Sequence, residues 1–377
     1  MRIMVVLGTR PEAIKLAPVV KAFAARPEID LALCTTGQHR EMVQQVFNVF
    51  GLRATIDLDV MMPGQSLSDV TTRVLDRMSE LLVRETADWI LVQGDTTTAF
   101  ATSLAAYYQK IPIAHVEAGL RSGDIYAPWP EEVNRRMISV VGAQHFAPTA
   151  EARGNLLAEG CDPEAVHVTG NTVIDALFHF QNYLDRNTAL KANYDRQFDF
   201  LKPERRLILV TGHRRENHDG GIERICEALL TLAAREDVQV VYPVHPNPNV
   251  REPVEALLSD QPNITLLPPQ DYLGFVYLMA RASIILTDSG GIQEEAPALG
   301  KPVLVTRETT ERPEGVAAGT AKLVGTDPEK MIAETSALLD DPAAYEAMSR
   351  AHNPYGDGRA SERIVQAILG ERASAAA

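Results

Sequence analysis

Two carboxylates stand after apolar runs and a third at a helix start. Asp95 and Glu117 each follow one, Trp89–Val92 and Ile111–Val116, and Glu131 opens a helical stretch after a proline-punctuated loop. Carboxylates gathered at one place can act as general base and general acid once burial separates their pKa values. Cations accompany them: Arg10, Lys15, Arg121, Arg135 and Arg136 in the first half, His213, Arg214, Arg215 and Arg312 in the second. A site with both signs suits a substrate carrying phosphate and hydroxyls. Ser289-Gly290-Gly291, between the apolar run Ser283–Leu286 and a short helical segment, is a turn where backbone amides at a helix start attract an anion. Each signal also has an ordinary reading. Any one Arg can be a solvated surface charge, Asp95 can cap the next helix, and Glu131 and Glu132 favour a helix N-terminus in any case. Ser289-Gly290-Gly291 can be a plain turn. Glu117, closing Ile113-Ala114-His115-Val116, has no such excuse.

The elements that must hold these residues alternate. Ile3–Leu7 reads as a buried strand, followed by Gly8-Thr9-Arg10-Pro11-Glu12 and a helix to about Arg26, with Pro11 suited to its first position. Leu31–Thr35 is a second strand, Glu41–Phe50 a helix, and Ser66–Glu85 a longer amphipathic helix. Gln181–Glu204 is polar, lacks a strand, and reads as the boundary region. The pattern then restarts with strands at Leu207–Val210, Val238–Tyr242 and Ile264–Leu267 and helices at Gly221–Arg235, Val250–Leu258 and Tyr272–Arg281. Alternating strands and helices predict an α/β chain of two doubly wound parallel sheets, whose ligands bind at the carboxyl ends of strands. The expected domains are 1–180 and 181–354, and Ala373–Ala377 is expected to fray. Leu7-Gly8-Thr9-Arg10-Pro11-Glu12 and Thr211-Gly212-His213-Arg214-Arg215-Glu216 share Gly-x-Arg-x-Glu after the first strand of each half. Facing sheets would bring both loops and Ser289-Gly290-Gly291 to one cleft.

Composition narrows the class. A chain of 377 residues calls for about two domains. Lys+Arg of 36 against Asp+Glu of 50 gives a net charge of −14, which argues against a nucleic-acid or anionic-membrane surface. Cys34, Cys161 and Cys226 are scattered and lack CxxC spacing, as expected of a reduced, cytoplasmic protein without a zinc site. Met1 leads straight into a strand, so no signal peptide is expected, and no apolar run reaches the length of a membrane span. The first strand's loop is not GxGxxG, and no GxxxxGK[ST] occurs, which argues against tightly bound NAD and a P-loop ATPase. Gly356-Asp357-Gly358 reads as a turn.

Six segments in order carry a resemblance. They are Gly8–Lys15, Gln93–Thr98, His115–Arg121, Pro128–Arg135, Thr211–Asn217 and Thr287–Pro297, with Tyr355–Gly358 near the end. Together they closely resemble the bacterial non-hydrolysing UDP-N-acetylglucosamine 2-epimerases. The resemblance implies a glycosyltransferase-B-like fold of two Rossmann-like domains around a cleft, a C-terminal segment 355–377 crossing back onto the first domain, and a homodimer. It implies reversible interconversion of UDP-GlcNAc and UDP-ManNAc for bacterial surface polysaccharide, without NAD or an obligatory metal. UDP is eliminated to give 2-acetamidoglucal and added back with a proton on the other face. On that basis Asp95, Glu117 and Glu131 move protons and Arg135 supports them. The leaving diphosphate falls to Arg10, Lys15, His213 and the Ser289, Gly290 and Gly291 amides. Glu295 would hold the ribose, Gln270 and Phe275 the uracil, and Arg312 the sugar or phosphate. Some bacterial members carry a second, regulatory UDP-GlcNAc site, for which Gln38, Arg73 and His245 are the candidates.

Three rivals share parts of this pattern. A glycosyltransferase of the same architecture needs an acceptor and no base at C2. A hydrolysing epimerase releases free ManNAc and UDP. A nucleotide-sugar sensor would bind without turnover, which the carboxylate set disfavours.

Overall fold

The structure, a computed structural model, describes residues Met1–Gly370. The described residues divide into two compact units, Met1–His179 together with the chain from Tyr355 to Gly370, and Phe180–Pro354. The expected tail Ala373–Ala377 and the last residues of the 355–377 segment lie outside the described residues.

The first unit holds β1 (Arg2–Leu7), β2 (Asp30–Thr35), β3 (Ile56–Asp57), β4 (Trp89–Gln93), β5 (Ile113–Val116), β6 (Gln144–Ala147) and β7 (Val166–Val168). They form one sheet in the order β3-β2-β1-β4-β5-β6-β7, and every adjacent pair is parallel. Ile3 to Leu7 are wholly buried, as a central parallel strand covered on both faces requires. The second unit holds β8 (Arg206–Thr211), β9 (Val238–Pro243), β10 (Ile264–Leu267), β11 (Ile284–Thr287), β12 (Val303–Val305) and β13 (Ala321–Leu323). Its sheet runs β10-β9-β8-β11-β12-β13, again all parallel. The chain is therefore α/β, with two doubly wound parallel sheets. In each, strand order reverses beside the first strand, between β1 and β4 and between β8 and β11. Chain segments leave such a pair in opposite directions, opening a crevice at the carboxyl ends where a ligand fits.

The first helix, Arg10–Ala24, starts one residue before Pro11. Thr9 caps it, accepting from the Glu12 amide while Glu12 reaches back to the Thr9 amide. The polar stretch taken as a boundary is helical, Thr172–Arg186 followed by Thr188–Gln197. Its composition is polar because only one side is covered: Tyr194 and Phe198, four residues apart, pack on Tyr277 with ring centroids 5.6 and 5.3 Å away. Short strands β3, β6, β7 and β13 and the helices Ala150–Ala158 and Pro313–Ala317 are among the other elements that periodicity did not pick out. In the first unit the helix Ala360–Leu369 packs against Arg10–Ala24. Its start is tied by Asp175, which accepts from the amides of Ala360 (3.2 Å) and Ser361 (2.8 Å). Burial raises the Asp175 pKa, and these amides counter it only partly. Among the described residues no helix is long and apolar enough to cross a membrane.

Candidate active site

In the first unit the loops after β1, β4 and β5 are tied together by carboxylates. Gly8 is required by space: an added Cβ would lie 2.3 Å from Thr36 Oγ1 and 2.6 Å from Thr98 Oγ1. Glu12, almost wholly buried, accepts from the amides of Gly8 (3.0 Å) and Thr9 (2.7 Å) and from the Thr9 hydroxyl (2.8 Å). Its other oxygen accepts from the Thr96 hydroxyl at 2.7 Å. Burial raises the Glu12 pKa, and these four donors oppose the rise. Glu12 thus fastens the β1 loop to the β4 loop. Arg10, half-buried, donates its amide to His39 Nδ1 at 3.3 Å.

Asp95 is not a helix cap. Thr96 caps the helix Thr97–Tyr108, accepting from the Ala99 amide at 3.0 Å, which excludes the ordinary reading of Asp95. The Asp95 carboxylate pairs instead with Arg135, and its carbonyl accepts from Asn134 Nδ2 at 2.9 Å. Both partners lie on the helix Glu131–Val141, whose first residue, Glu131, is half-buried. Glu117 follows β5 with φ at +62°, in the left-handed region, which costs a non-glycine residue about 1–3 kcal/mol. Its side chain is only 8% exposed and pairs with Lys15 Nζ at 2.5 Å. His115, two residues earlier, is fully buried, and its Nε2 lies 2.7 Å from the Gly94 carbonyl. Burial lowers its pKa to about 3, so the ring is neutral and donates, holding the β4 turn that carries Asp95. Arg121 is structural: it pairs with Glu159 at 2.6 Å and donates to Ser139.

The second unit repeats the plan with other residues. Asp288, fully buried after β11, accepts from the amides of His213 and Arg214, each at 2.8 Å, and its other oxygen lies 3.1 Å from His213 Nδ1. Burial pushes the Asp288 carboxyl up, but the His213 ring and the loop amides outweigh it and hold the carboxyl below its usual range. His213 stacks on His245, centroids 5.6 Å apart. The helix Gly290–Ala298 begins at Ser289 without a side-chain cap. Arg312 stands beside that start, with its Cζ 3.8 Å from where a Cβ on Gly290 would be, and pairs with Glu294. That spacing is ordinary contact, so packing does not demand a glycine; its absent side chain leaves the amide open to a ligand. Glu295, buried one turn along, accepts from the Tyr272 hydroxyl at 2.5 Å. Gln270 accepts from Gln197 Nε2 at 3.1 Å and lines a cavity of about 430 Å³ with Asn193, Tyr194 and Asp271. Phe275 is half-buried on the neighbouring helix Tyr272–Arg281.

The candidates therefore gather as two groups, Arg10, Lys15, Asp95, Glu117, Glu131 and Arg135 in the first unit and His213, Gln270, Glu295 and Arg312 with the Ser289 turn in the second. The regulatory candidates divide likewise. Gln38, which accepts from Thr98 Oγ1 at 3.3 Å, and Arg73 belong to the first unit, and His245 to the second. The shared Gly-x-Arg-x-Glu does not mean a shared role: Glu12 anchors its own loop, whereas Glu216 accepts from Arg307 at 2.5 Å. Sequence reasoning passed over Glu12, Asp288 and Tyr272 as site residues. Thr9-x-x-Glu12 is a legible capping box, and Asp288 follows an apolar run as Asp95 and Glu117 do; Tyr272 carries no such signal. Among the described residues no group of three or more His, Cys, Asp or Glu is placed to hold a metal ion.

Known proteins resemble the chain along nearly its whole length. A family model described as UDP-N-acetylglucosamine 2-epimerase matches residues 21–369. The Salmonella typhimurium UDP-N-acetylglucosamine 2-epimerase is 53% identical over 375 residues, 99% of this chain and 100% of the relative. A Neisseria meningitidis UDP-GlcNAc 2-epimerase bound to UDP-GlcNAc superposes with TM-score 0.90 at 50% identity, covering 98% of this chain and 100% of that one. A Methanocaldococcus jannaschii UDP-GlcNAc 2-epimerase in complex with UDP-GlcNAc and UDP gives 0.79 at 33%, covering 98% and 100%. The glycotransferase of kitacinnamycin, 15% identical with TM-score 0.64, shares the fold alone. With its full length matched at this identity, the chain belongs to the UDP-N-acetylglucosamine 2-epimerase family.

Proposed function

We propose that the protein inverts C2 of UDP-N-acetylglucosamine to give UDP-N-acetylmannosamine, eliminating UDP and adding it back without releasing the sugar. The observation that carries the proton chemistry is Glu117: a carboxylate in a strained backbone, nearly buried and paired with Lys15. A fold accepts such strain where position matters more than stability. In this reading Asp95, Glu117 and Glu131 exchange the C2 proton on the two faces, with Arg135 orienting Asp95. The departing diphosphate gathers charge as the C1–O bond breaks, and preorganised donors favour that state. His213, held by Asp288, Arg10, Arg312 and the open amides of Gly290 and Gly291 are the groups suited to it. Glu295, fixed by Tyr272, takes the ribose, and the cavity beside Gln270 takes the uracil.

Incubation of UDP-GlcNAc with the protein in D2O, without an acceptor, tests this. Deuterium at C2 and a new UDP-linked manno isomer are expected. An unlabelled, unchanged sugar nucleotide would point to a glycosyltransferase or sensor, and free ManNAc with UDP to a hydrolysing enzyme.

We also infer a homodimer. Val83, Tyr107, Tyr108, Met137 and Val140 are exposed, Val140 at 85%, on three adjoining helices, Leu67–Arg84, Thr97–Tyr108 and Glu131–Val141. An apolar patch of this kind fits a second copy better than water. The free thiols, two of them buried, suit a reducing cytoplasm.

A further inference from the structure

Glu132 looks in sequence like an ordinary first-turn acid, yet its side chain is 0% exposed. One carboxylate oxygen accepts from the Ser122 amide at 3.0 Å and from Arg135 Nη1 at 3.3 Å; the other accepts from Arg136 Nε at 3.0 Å. Arg135 uses its second terminal nitrogen for Asp95. One guanidinium therefore bridges two carboxylates in a fixed fork, and a chain of charges runs Asp95, Arg135, Glu132, Arg136. A buried carboxylate costs desolvation that its partners must offset. A first-turn acid could meet the helix dipole from the surface without that cost. The neighbouring helix Thr97–Tyr108 carries no charged residue that could take its place.

We propose that Glu132 is a positioning residue: it clamps the Arg135 guanidinium so that the other end holds the Asp95 carboxylate in its reactive orientation. This rests on the reading of Asp95 as a proton-transfer group. Glu132 itself touches no substrate. Its effect reaches the reaction only through Arg135, so it should act on turnover and not on the binding of the nucleotide.

The test is a double-mutant cycle on the full-length protein, reading kcat, KM and the rate of deuterium entry at C2 of UDP-GlcNAc in D2O. Glu132→Gln is expected to lower kcat and deuterium entry about tenfold, as small misplacements of a catalytic group do, with KM and UDP affinity unchanged. In an Arg135→Gln background the same substitution should cost nothing further, because the group it acts through is already gone. Near-normal turnover in Glu132→Gln, or equal losses in both backgrounds, would overturn the proposal; a carboxylate that only fastens the loop at Ser122 gives the second result. If Glu132→Gln does not fold, Glu132→Asp replaces it, with a loss of about threefold that vanishes in the Arg135→Gln background. Asp95→Asn is run alongside. Normal turnover there removes the underlying reading, whereas loss there with full activity in Glu132→Gln removes this assignment alone.

Discussion

Asp95 and Glu117 share a chemical type but are held differently, one by a guanidinium on the next helix, the other by Lys15 and a left-handed backbone. If both move protons, Asp95→Asn and Glu117→Gln should each cut kcat by ~10²-fold or more while UDP still binds; near-normal kcat in either, measured by the rate of isomer formation, removes that residue from the mechanism. Arg10→Ala has a different expectation. Loss of a charge-assisted hydrogen bond to phosphate should weaken UDP binding by about 1.5–3 kcal/mol, roughly 10- to 150-fold, and calorimetry showing unchanged affinity would place Arg10 outside the diphosphate site. The site was legible to the extent that chemistry is written in residue type after an apolar run. Asp95, Glu117 and the Ser289 turn stood out for that reason. Glu132 did not, because Arg135 and Arg136 at helical spacing read as ordinary surface pairing, and the burial comes with Ser122, ten residues back in the chain, whose amide only the fold brings to it.

Strands and helix ends carry a second set of expectations. The helix Gly290–Ala298 starts uncapped, and Gly290→Ala fits without a clash. The substitution should keep the fold by circular dichroism yet weaken UDP roughly tenfold, about 1.4 kcal/mol, since a methyl group blocks close approach of phosphate to the amide. Unchanged affinity would mean that the turn binds nothing. In the first sheet, His115 and His145 lie paired across β5 and β6. Burial lowers their pKa values to about 3 and about 4. The unfolded chain titrates near 6.5, so between these values it binds more protons than the folded one. Stability is therefore complete above about pH 6.5 and falls as the pH drops toward 4, by roughly 1.4 kcal/mol per unit for each ring. Urea midpoints between pH 7 and 4.5 should show that slope, and His145→Asn should roughly halve it, leaving the His115 part; an unchanged slope would clear His145. Long apolar runs made β1, β8 and β11 readable. β3, with two residues, and β7 and β13, with three, are too short for periodicity and exist because a neighbour offers a ladder.

At the scale of the molecule, both units use one plan, a sheet whose order reverses beside its first strand, with a buried acid fastening the loop there. Glu12 reaches back from the first turn of the helix that follows the loop it fastens, and Asp288 reaches from the adjacent strand end. The same plan with different anchors means that a five-residue sequence match marks both loops without marking what holds them. The exposed stripe on the first unit carries its own expectation: Val140→Glu with Tyr108→Glu should give a monomer by light scattering with the secondary structure kept, while a variant that remains dimeric would move the interface elsewhere. The uncapped helix at Ser289 has a consequence beyond recognition. The nucleotide would supply the cap that the chain omits, so part of the folding free energy resides in the ligand. At a nucleotide concentration 100 times its dissociation constant this adds about 2.7 kcal/mol against unfolding. The lifetime of the protein in a cell would then follow the size of the nucleotide-sugar pool, with unoccupied copies the first to be cleared.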